Sequence, residues 1–325
     1  MKLLYLFFVT ITTYIVTGTF FHRETYFNLE KIQEVDKFGI EFQKNCIKKV
    51  SEYLKFNKLD TDGIIVIENN QGIQTRYTWG RYSTEDSEEV RETTPYDLAS
   101  ISKLYLTYCI LKLHEEKKIN IYDYCKKYLP NFGNSNLRII DLLTHMTNFN
   151  ISLADYRKKY TNVDDLKEQI LQIEAPIFKS EEVAYQNTTY LFLQEIIEKV
   201  TNNSLENIYT DFFRKNNLNK TYLGLKDQKL FQSPPTEIVD GVTIKNITHD
   251  ETARLFGGIT GHAGIFATAP DLIKFAKLWL KNDTLKELAF QNYNLTGKLS
   301  QGLGWWGRIP DNPTNQTPSL NTPGI

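Results

Sequence analysis

No charge of either sign dominates this chain of 325 residues: 38 lysines and arginines stand against 39 aspartates and glutamates, a net charge of −1. That balance excludes the basic excess that would draw the chain to phosphate backbones, so nucleic acid is not an expected partner. Cysteine is scarce as well. Cys46, Cys109 and Cys125 form no CxxC or Cys/His spacing of the kind a zinc site needs, and an odd count leaves at least one thiol outside any disulfide framework. The three are expected to be small buried hydrophobes. Internal repeats and low-complexity linkers are missing too, so nothing marks a second independent domain. What is plentiful is apolar: 41% of the residues are hydrophobic and 13% aromatic, enough to fill a substantial core.

Charge is also absent from Leu3 to Phe21, after Lys2. A run of about 19 uncharged residues is near the lower limit for crossing a bilayer as a helix. Residues 1–21 therefore read as a signal peptide or an uncleaved membrane anchor, and the remainder, 22–325, as the working domain. Val16 and Gly18 suit a cleavage site, whereas the length and the bulky Phe20-Phe21 end suit retention. Either outcome places the domain outside the cytoplasm, secreted or membrane-anchored. A buried N-terminal core helix is the third reading.

From Asp36 to Lys55 the apolar positions Phe42, Cys46, Ile47, Val50 and Leu54 recur at helical spacing, which predicts an amphipathic helix. The β-branched run Gly63–Glu68, the turn residues Asn69-Asn70-Gln71-Gly72 and the stretch Ile73–Trp79 predict a β-hairpin. A polar loop follows from Arg81 to Thr94, then an apolar helical stretch from about Ser100 to Lys117. Between Leu104 and Asp250 helical patterns and loops dominate over strand pairs, with Leu193, Ile196, Ile197 and Val200 forming one such stripe. Thr268 and Asp271 suggest a capping box ahead of Leu272, Phe275, Trp279 and Leu280. The order implies an α+β domain: an antiparallel sheet from both chain ends, split by a helical subdomain at about 104–255.

The chemistry suggested by the residues centres on Ser100 and Lys103. A serine hydroxyl is a weak nucleophile and needs a base; a lysine serves if burial leaves it a neutral amine. Residues i and i+3 share a helix face, so Ser100 would sit at a helix N-terminus with Lys103 directly behind it. That terminus also offers partial positive charge and free N–H groups to a developing oxyanion. Lys103 is set among Leu104, Leu106, Ile110, Leu111 and Leu113, where an unpaired ammonium is costly, and this context lifts a common four-residue pattern to a site candidate. Further along, Tyr185-Gln186-Asn187 precedes a helix that starts near Thr188. A phenol can relay the serine proton if neighbouring cations lower its pKa, and an amide can hold a substrate amide.

These residues carry a family resemblance. Tyr96-Asp97-Leu98-Ala99-Ser100-Ile101-Ser102-Lys103 resembles the FDLAS-x-TK signature of class C β-lactamases and their penicillin-binding and esterase relatives. Leu142-Leu143-Thr144-His145-Met146-Thr147-Asn148-Phe149 resembles the LLTHTSGL loop of those proteins, with Asn148 at their glycine. Tyr185-Gln186-Asn187 matches their YxN motif, and Leu191 to Leu223 resembles the helix and LG-containing loop beyond it. His249-Asp250-Glu251 through Gly257-Gly258-Ile259-Thr260-Gly261-His262-Ala263-Gly264-Ile265-Phe266-Ala267 resembles the HDENA…LGGVAGHAGLFSTA segment of one bacterial branch. The likeness spans about residues 36–310 in order. It implies the β-lactamase/transpeptidase-like fold, antiparallel sheet flanked by helices, and a seryl acyl-enzyme with no metal or organic cofactor. Ser100 would attack, Lys103 and Tyr185 would share the proton, and Asn187 would orient a small-molecule or peptide substrate, such as a cell-wall peptide.

The family's third motif, KTG or HTG on a strand lining the site, is not found. Gly302-Leu303-Gly304-Trp305 leads toward that strand, but Thr322-Pro323-Gly324 falls at the triad, with a proline that removes a strand N–H. Two explanations stand, a C-terminally truncated sequence or the loss of a substrate-binding wall. His262 and Gly264 enter as substrate-binding candidates on a glycine-shaped loop bordering the cleft, His262 standing behind the reacting groups. Several Asn-x-Ser/Thr sequons occur, including those at Asn187, Asn202, Asn219, Asn246 and Asn282, and a glycan at Asn187 would block the site. Two functions compete: an extracytoplasmic serine hydrolase cleaving a D-Ala peptide, a β-lactam or an ester, and a non-catalytic scaffold or ligand-binding protein that keeps the fold without a complete site.

Overall fold

In a computed structural model of the chain the β-branched run forms the expected hairpin, with strands Gly63–Glu68 and Gln74–Trp79 paired antiparallel from Gly63 opposite Trp79 to Glu68 opposite Gln74. The structure describes residues 11–12, 45, 48–49, 52, 62–68, 74–82, 88–133, 136–147, 153–160, 162–172, 183–225, 230–294 and 299–308. The expected leader at Leu3–Phe21 lies outside them apart from Ile11–Thr12, which pairs with Ile64 and Gly63 as a two-residue strand. The apolar stripe from Phe42 to Leu54 is outside as well, although Asn45, Lys48, Lys49 and Glu52 are helical. So is Thr322-Pro323-Gly324. Among the described residues no helix is long and apolar enough to cross a membrane.

The chain divides into two compact units. The first comprises residues 1–96, 229–246 and 267–276. Ile64, Ile65, Val66 and Ile67 of its hairpin are all buried, so both faces of that strand are covered, as the unbroken apolar run requires. Tyr96, also buried, donates to the Asp62 carboxylate at 2.6 Å. A second hairpin here, Glu237–Val239 with Val242–Ile244, lies within the stretch up to Asp250 in which helical patterns and loops dominate. Its turn is Asp240-Gly241, both at positive φ (50° and 78°), the type I′ geometry that Asp-Gly favours between two strands. The signal is only two residues long and flanked by short strands, so periodicity gives little help in finding it.

The second unit comprises residues 97–228, 247–266 and 277–325 and is mainly helical. The helix Ser102–Glu115 runs through its core, with every residue from Ser102 to Leu111 buried. That explains the nearly continuous apolar run: this helix has no solvent face until its last turn. It contacts the helix Thr188–Thr201, whose Leu193, Ile196 and Ile197 are fully buried. Aromatic side chains fill the spaces between. Tyr105 meets Phe212 and Phe213 edge-on, and Tyr108 meets Trp279, which in turn meets Trp305. Cys109 and Cys125 are buried free thiols, and burial pushes Cys109 up to about 12. Strands Tyr96–Asp97, Ile265–Ala267 and Thr221–Leu223 form a small sheet, with Ile265–Ala267 in the middle. Leu299–Gln301 and Trp306–Arg308 make an antiparallel pair around Gly302–Trp305, the segment expected to lead to a strand.

Candidate active site

Ser100 does not open an α-helix. It lies in a turn of 3₁₀ helix, Ala99–Ile101, and the α-helix begins at Ser102. Ala99 enters that turn at φ 44°, in the left-handed region that residues with a Cβ rarely adopt. Asp97 holds the bend from below: its carboxylate accepts the Ala99 N–H and the His249 N–H, each at 2.8 Å. From the other side, Leu98 N–H bonds the Ile265 carbonyl and Ser102 Oγ accepts the Ile265 N–H. The turn around Ser100 is thus held by two short polar side chains, Asp97 bonding Ala99 and His249 and Ser102 bonding Ile265.

Helix side chains lean toward the N-terminus, so Lys103 reaches back over Ser100. Its Nζ donates to Ser100 Oγ at 2.8 Å, Tyr185 OH at 2.6 Å and Asn187 Oδ1 at 2.9 Å. Tyr185 OH also donates to Ser100 Oγ at 2.7 Å. Asn187 occupies the N-cap position of Thr188–Thr201, yet its side chain makes no capping bond. An N-cap asparagine ordinarily accepts a helix N–H, so this one has been turned away from its local role to Lys103. The Lys103 amine donates to Oδ1, which leaves Nδ2 as the donor side of the amide.

Burial lowers the Lys103 ammonium from its ordinary 10.5 to about 7, against the opposing pull of the Asp250 carboxylate. A substantial fraction is then neutral amine at neutral pH. Tyr185 moves the opposite way from what a relay with a lowered pKa requires: burial raises it, outweighing the hydrogen bond to Ser100, and Asp250 adds to the rise. The phenol therefore stays protonated near neutral pH, where Lys103 is partly the neutral amine.

His262 stands apart from the Ser100 cluster in its hydrogen bonding. The ring is fully buried, with Nε2 3.0 Å from Asp250 Oδ1 and Nδ1 3.0 Å from Thr260 Oγ1. Asp250 also caps the short helix Glu251–Leu255 by accepting the Ala253 N–H at 2.8 Å. Burial pushes the Asp250 carboxyl up, but the His262 and Ala253 bonds and the Lys103 charge together hold it well below the usual carboxylate range. Burial also lowers His262, so the pair is a neutral imidazole donating to a carboxylate. Gly264 serves packing. Its carbonyl accepts the Gly224 N–H at 2.8 Å, and at φ 105° a Cβ there would sit 2.3 Å from the Gly258 carbonyl oxygen. Gly258, at φ 110°, is equally confined, a Cβ falling 2.1 Å from the Gly224 carbonyl oxygen. Gly258, Gly261 and Gly264 thus let backbones approach more closely than a Cβ would allow.

The sequence profile of the Beta-lactamase family matches residues 48–316. The chain belongs to the β-lactamase family. A Salmonella gallinarum (strain 287/91 / NCTC 13346) protein provisionally named D-alanyl-D-alanine carboxypeptidase is 27% identical over 89% of this chain and 77% of its own length. A crystal structure described as the β-lactamase/D-alanine carboxypeptidase from Pseudomonas syringae superposes with a TM-score of 0.67 at 17% identity, over 84% of this chain and 76% of that one. The penicillin binding protein from Bacillus halodurans gives 0.58 at 17% identity, over 77% and 81%. At these identities the two structures bear on fold alone, and that fold is the β-lactamase/transpeptidase one, mixed helix and antiparallel sheet.

Two members of the site escaped assignment from sequence. His145 lay inside the quoted LLTH-like segment, and Asp250 inside the HDE-like one, but neither residue type at that spacing points to Ser100. Among the described residues no cluster of three His, Cys, Asp or Glu could hold a metal.

Proposed function

We propose that this β-lactamase-family chain is an extracytoplasmic serine hydrolase that cleaves an amide by way of an ester on Ser100 Oγ, with a D-alanyl cell-wall peptide as substrate. The observation that carries this reading is the buried amine of Lys103, lowered to about 7 and bonded to Ser100, Tyr185 and Asn187 together. The carboxypeptidase name of the relatives supports the peptide, and the uncharged stretch Leu3–Phe21 supports an extracytoplasmic location through secretion or anchoring.

In the acylation step neutral Lys103 takes the Ser100 hydroxyl proton as Oγ adds to the substrate carbonyl. Tyr185, still protonated, gives its own proton to the leaving nitrogen and regains one from Lys103, so the net transfer is one proton from Ser100 to the amine and Lys103 is neutral again. Water then attacks the ester, passes its proton back through the same groups, and frees the acid and Ser100. Asn187, its Oδ1 committed to Lys103, presents Nδ2 to a substrate carbonyl.

The test is covalent labelling. Intact-mass analysis after incubation with a fluorescent penicillin is expected to show one adduct, mapped to Ser100 and lost in Ser100→Ala, and a D-alanyl-D-alanine peptide should release free D-alanine. Folded protein that takes no adduct from either a penicillin or a fluorophosphonate would leave the non-catalytic scaffold as the function.

A further inference from the structure

His145 holds a backbone conformation that its residue type disfavours. It follows the helix Ile139–Leu143 at φ 53°, in the left-handed region, where glycine is the usual occupant. Two bonds close the turn: His145 N–H to the Leu142 carbonyl at 3.3 Å, and Met146 N–H to the Asp141 carbonyl at 3.1 Å. A 2% exposed imidazole retained at such a point suggests a task beyond ending a helix.

Two acceptors of this residue face the segment that carries Tyr185 and Asn187. Its carbonyl takes the Ala184 N–H at 3.2 Å, and its Nδ1 takes the Gln186 N–H at 3.3 Å. A backbone N–H only donates, so Nδ1 holds the lone pair and the ring is the Nε2–H tautomer. Gln186 precedes the helix Thr188–Thr201, whose own carbonyls cannot serve an N–H at that position. His145 supplies the acceptor instead. Its ring also lies against Tyr185, with centroids 4.8 Å apart, and Thr189 Oγ1 stands 3.2 Å from Nδ1.

We propose that His145 is a positioning residue for acylation of Ser100: its Nδ1, bonded to the Gln186 amide, sets the direction in which Tyr185 and Asn187 point at Lys103. This rests on the acyl-Ser100 reading above. Burial, helped by the Lys103 charge, lowers His145 to about 3, so the lone pair is present throughout the range in which acylation is measured.

Two substitutions separate an acceptor from a filler. His145→Asn keeps an acceptor oxygen on a residue that tolerates the left-handed region, and gives up the ring. His145→Phe keeps a ring and gives up the lone pair. With a fluorescent penicillin, well below each melting temperature, acylation rates are expected to fall in the order wild type, Asn, Phe, the Phe variant ~10- to 100-fold below wild type. A Phe variant at or above the Asn variant would make His145 a space-filler and overturn the proposal. If either fails to melt cooperatively, His145→Gln and His145→Leu form the corresponding pair and are judged by the same order. If wild type itself takes no label, the acyl-Ser100 reading fails, and the isotope-labelled Cζ resonance of Tyr185, assigned with Tyr185→Phe, decides the positioning separately. A shift kept by the acceptor variant and displaced in the other supports it; a shift unmoved in the latter, or moved equally in both, overturns it.

Discussion

Replacing Lys103 with methionine removes one titrating group from the interior while leaving a side chain of similar length. Burial holds the wild-type ammonium at about 7 rather than 10.5, Asp250 opposing, and at 3% exposure solvent does little to screen it. Between those two values the unfolded chain binds a proton that the native site has released. Stability rises with pH wherever the unfolded state holds more protons, here by up to ~1.4 kcal/mol per pH unit. The burden of burying this group is therefore full below the folded value, where both states are protonated, and fades as pH climbs toward 10.5. The whole effect is on the order of 5 kcal/mol, of which about 2 kcal/mol falls between about pH 7 and about pH 9. Urea melts of wild type and Lys103→Met at matched pH read it directly: wild type should gain about 2 kcal/mol on the variant across that interval. The neighbours leave the window clear, since His145 is lowered to about 3 and Tyr185 is raised above 10.0. Parallel stability curves would refute a neutral-poised Lys103, and with it base catalysis by this amine near neutral pH.

Four other outcomes are expected. Ser100→Ala should abolish labelling by penicillin while costing no more than ~1–2 kcal/mol in a denaturant melt, because only the acceptor of Lys103 and Tyr185 is lost. Ala99→Gly should raise stability by ~1 kcal/mol, since the exposed Ala99 sits at φ 44° and glycine relieves that turn; a drop in melting temperature would mean the turn is not strained. Asp250→Asn keeps a residue able to cap Glu251–Leu255 but deletes the charge that raises Lys103, so the midpoint of the acylation pH profile should move below about 7. Gly258→Ala should destabilise by at least ~3 kcal/mol in thermal unfolding, given a Cβ 2.1 Å from the Gly224 carbonyl oxygen at φ 110°.

Much of the site was legible because its members lie in short motifs whose residue types are chemically specific. Ser100 and Lys103 share one helix start, and Tyr185 and Asn187 flank a single residue, so adjacency in sequence carries over to adjacency in space. What local spacing does not contain is how distant segments meet. His145 is separated from Gln186 by 41 positions and Asp250 from His262 by 12, and their bonds follow from the packing of helices, not from a pattern. The 3₁₀ turn Ala99–Ile101 ahead of the helix Ser102–Glu115 is hidden from sequence for a related reason. One 3₁₀ turn is too short to show a period different from that of the helix it leads into, and what marks it is the Ile101 N–H bonded to the Leu98 carbonyl. The direction of the Tyr185 shift depends on burial, which the sequence cannot weigh against nearby charge. Of the fold, the Gly63–Trp79 hairpin and the long helices were readable from periodicity, whereas three-residue strands such as Glu237–Val239 are too short to show one.

The three acceptors on Lys103 act as a tripod for its nitrogen. In the proposed acyl-enzyme Ser100 Oγ would be an ester oxygen and a far poorer acceptor, and an amine with that single partner would swing away from the reacting atoms. Lys103 would still be held by Tyr185 OH and Asn187 Oδ1, at 2.6 Å and 2.9 Å, with its stem fixed in a buried helix. On the proposed mechanism, deacylation would inherit its geometry from acylation, and a water reaching the ester would meet an amine that has not moved.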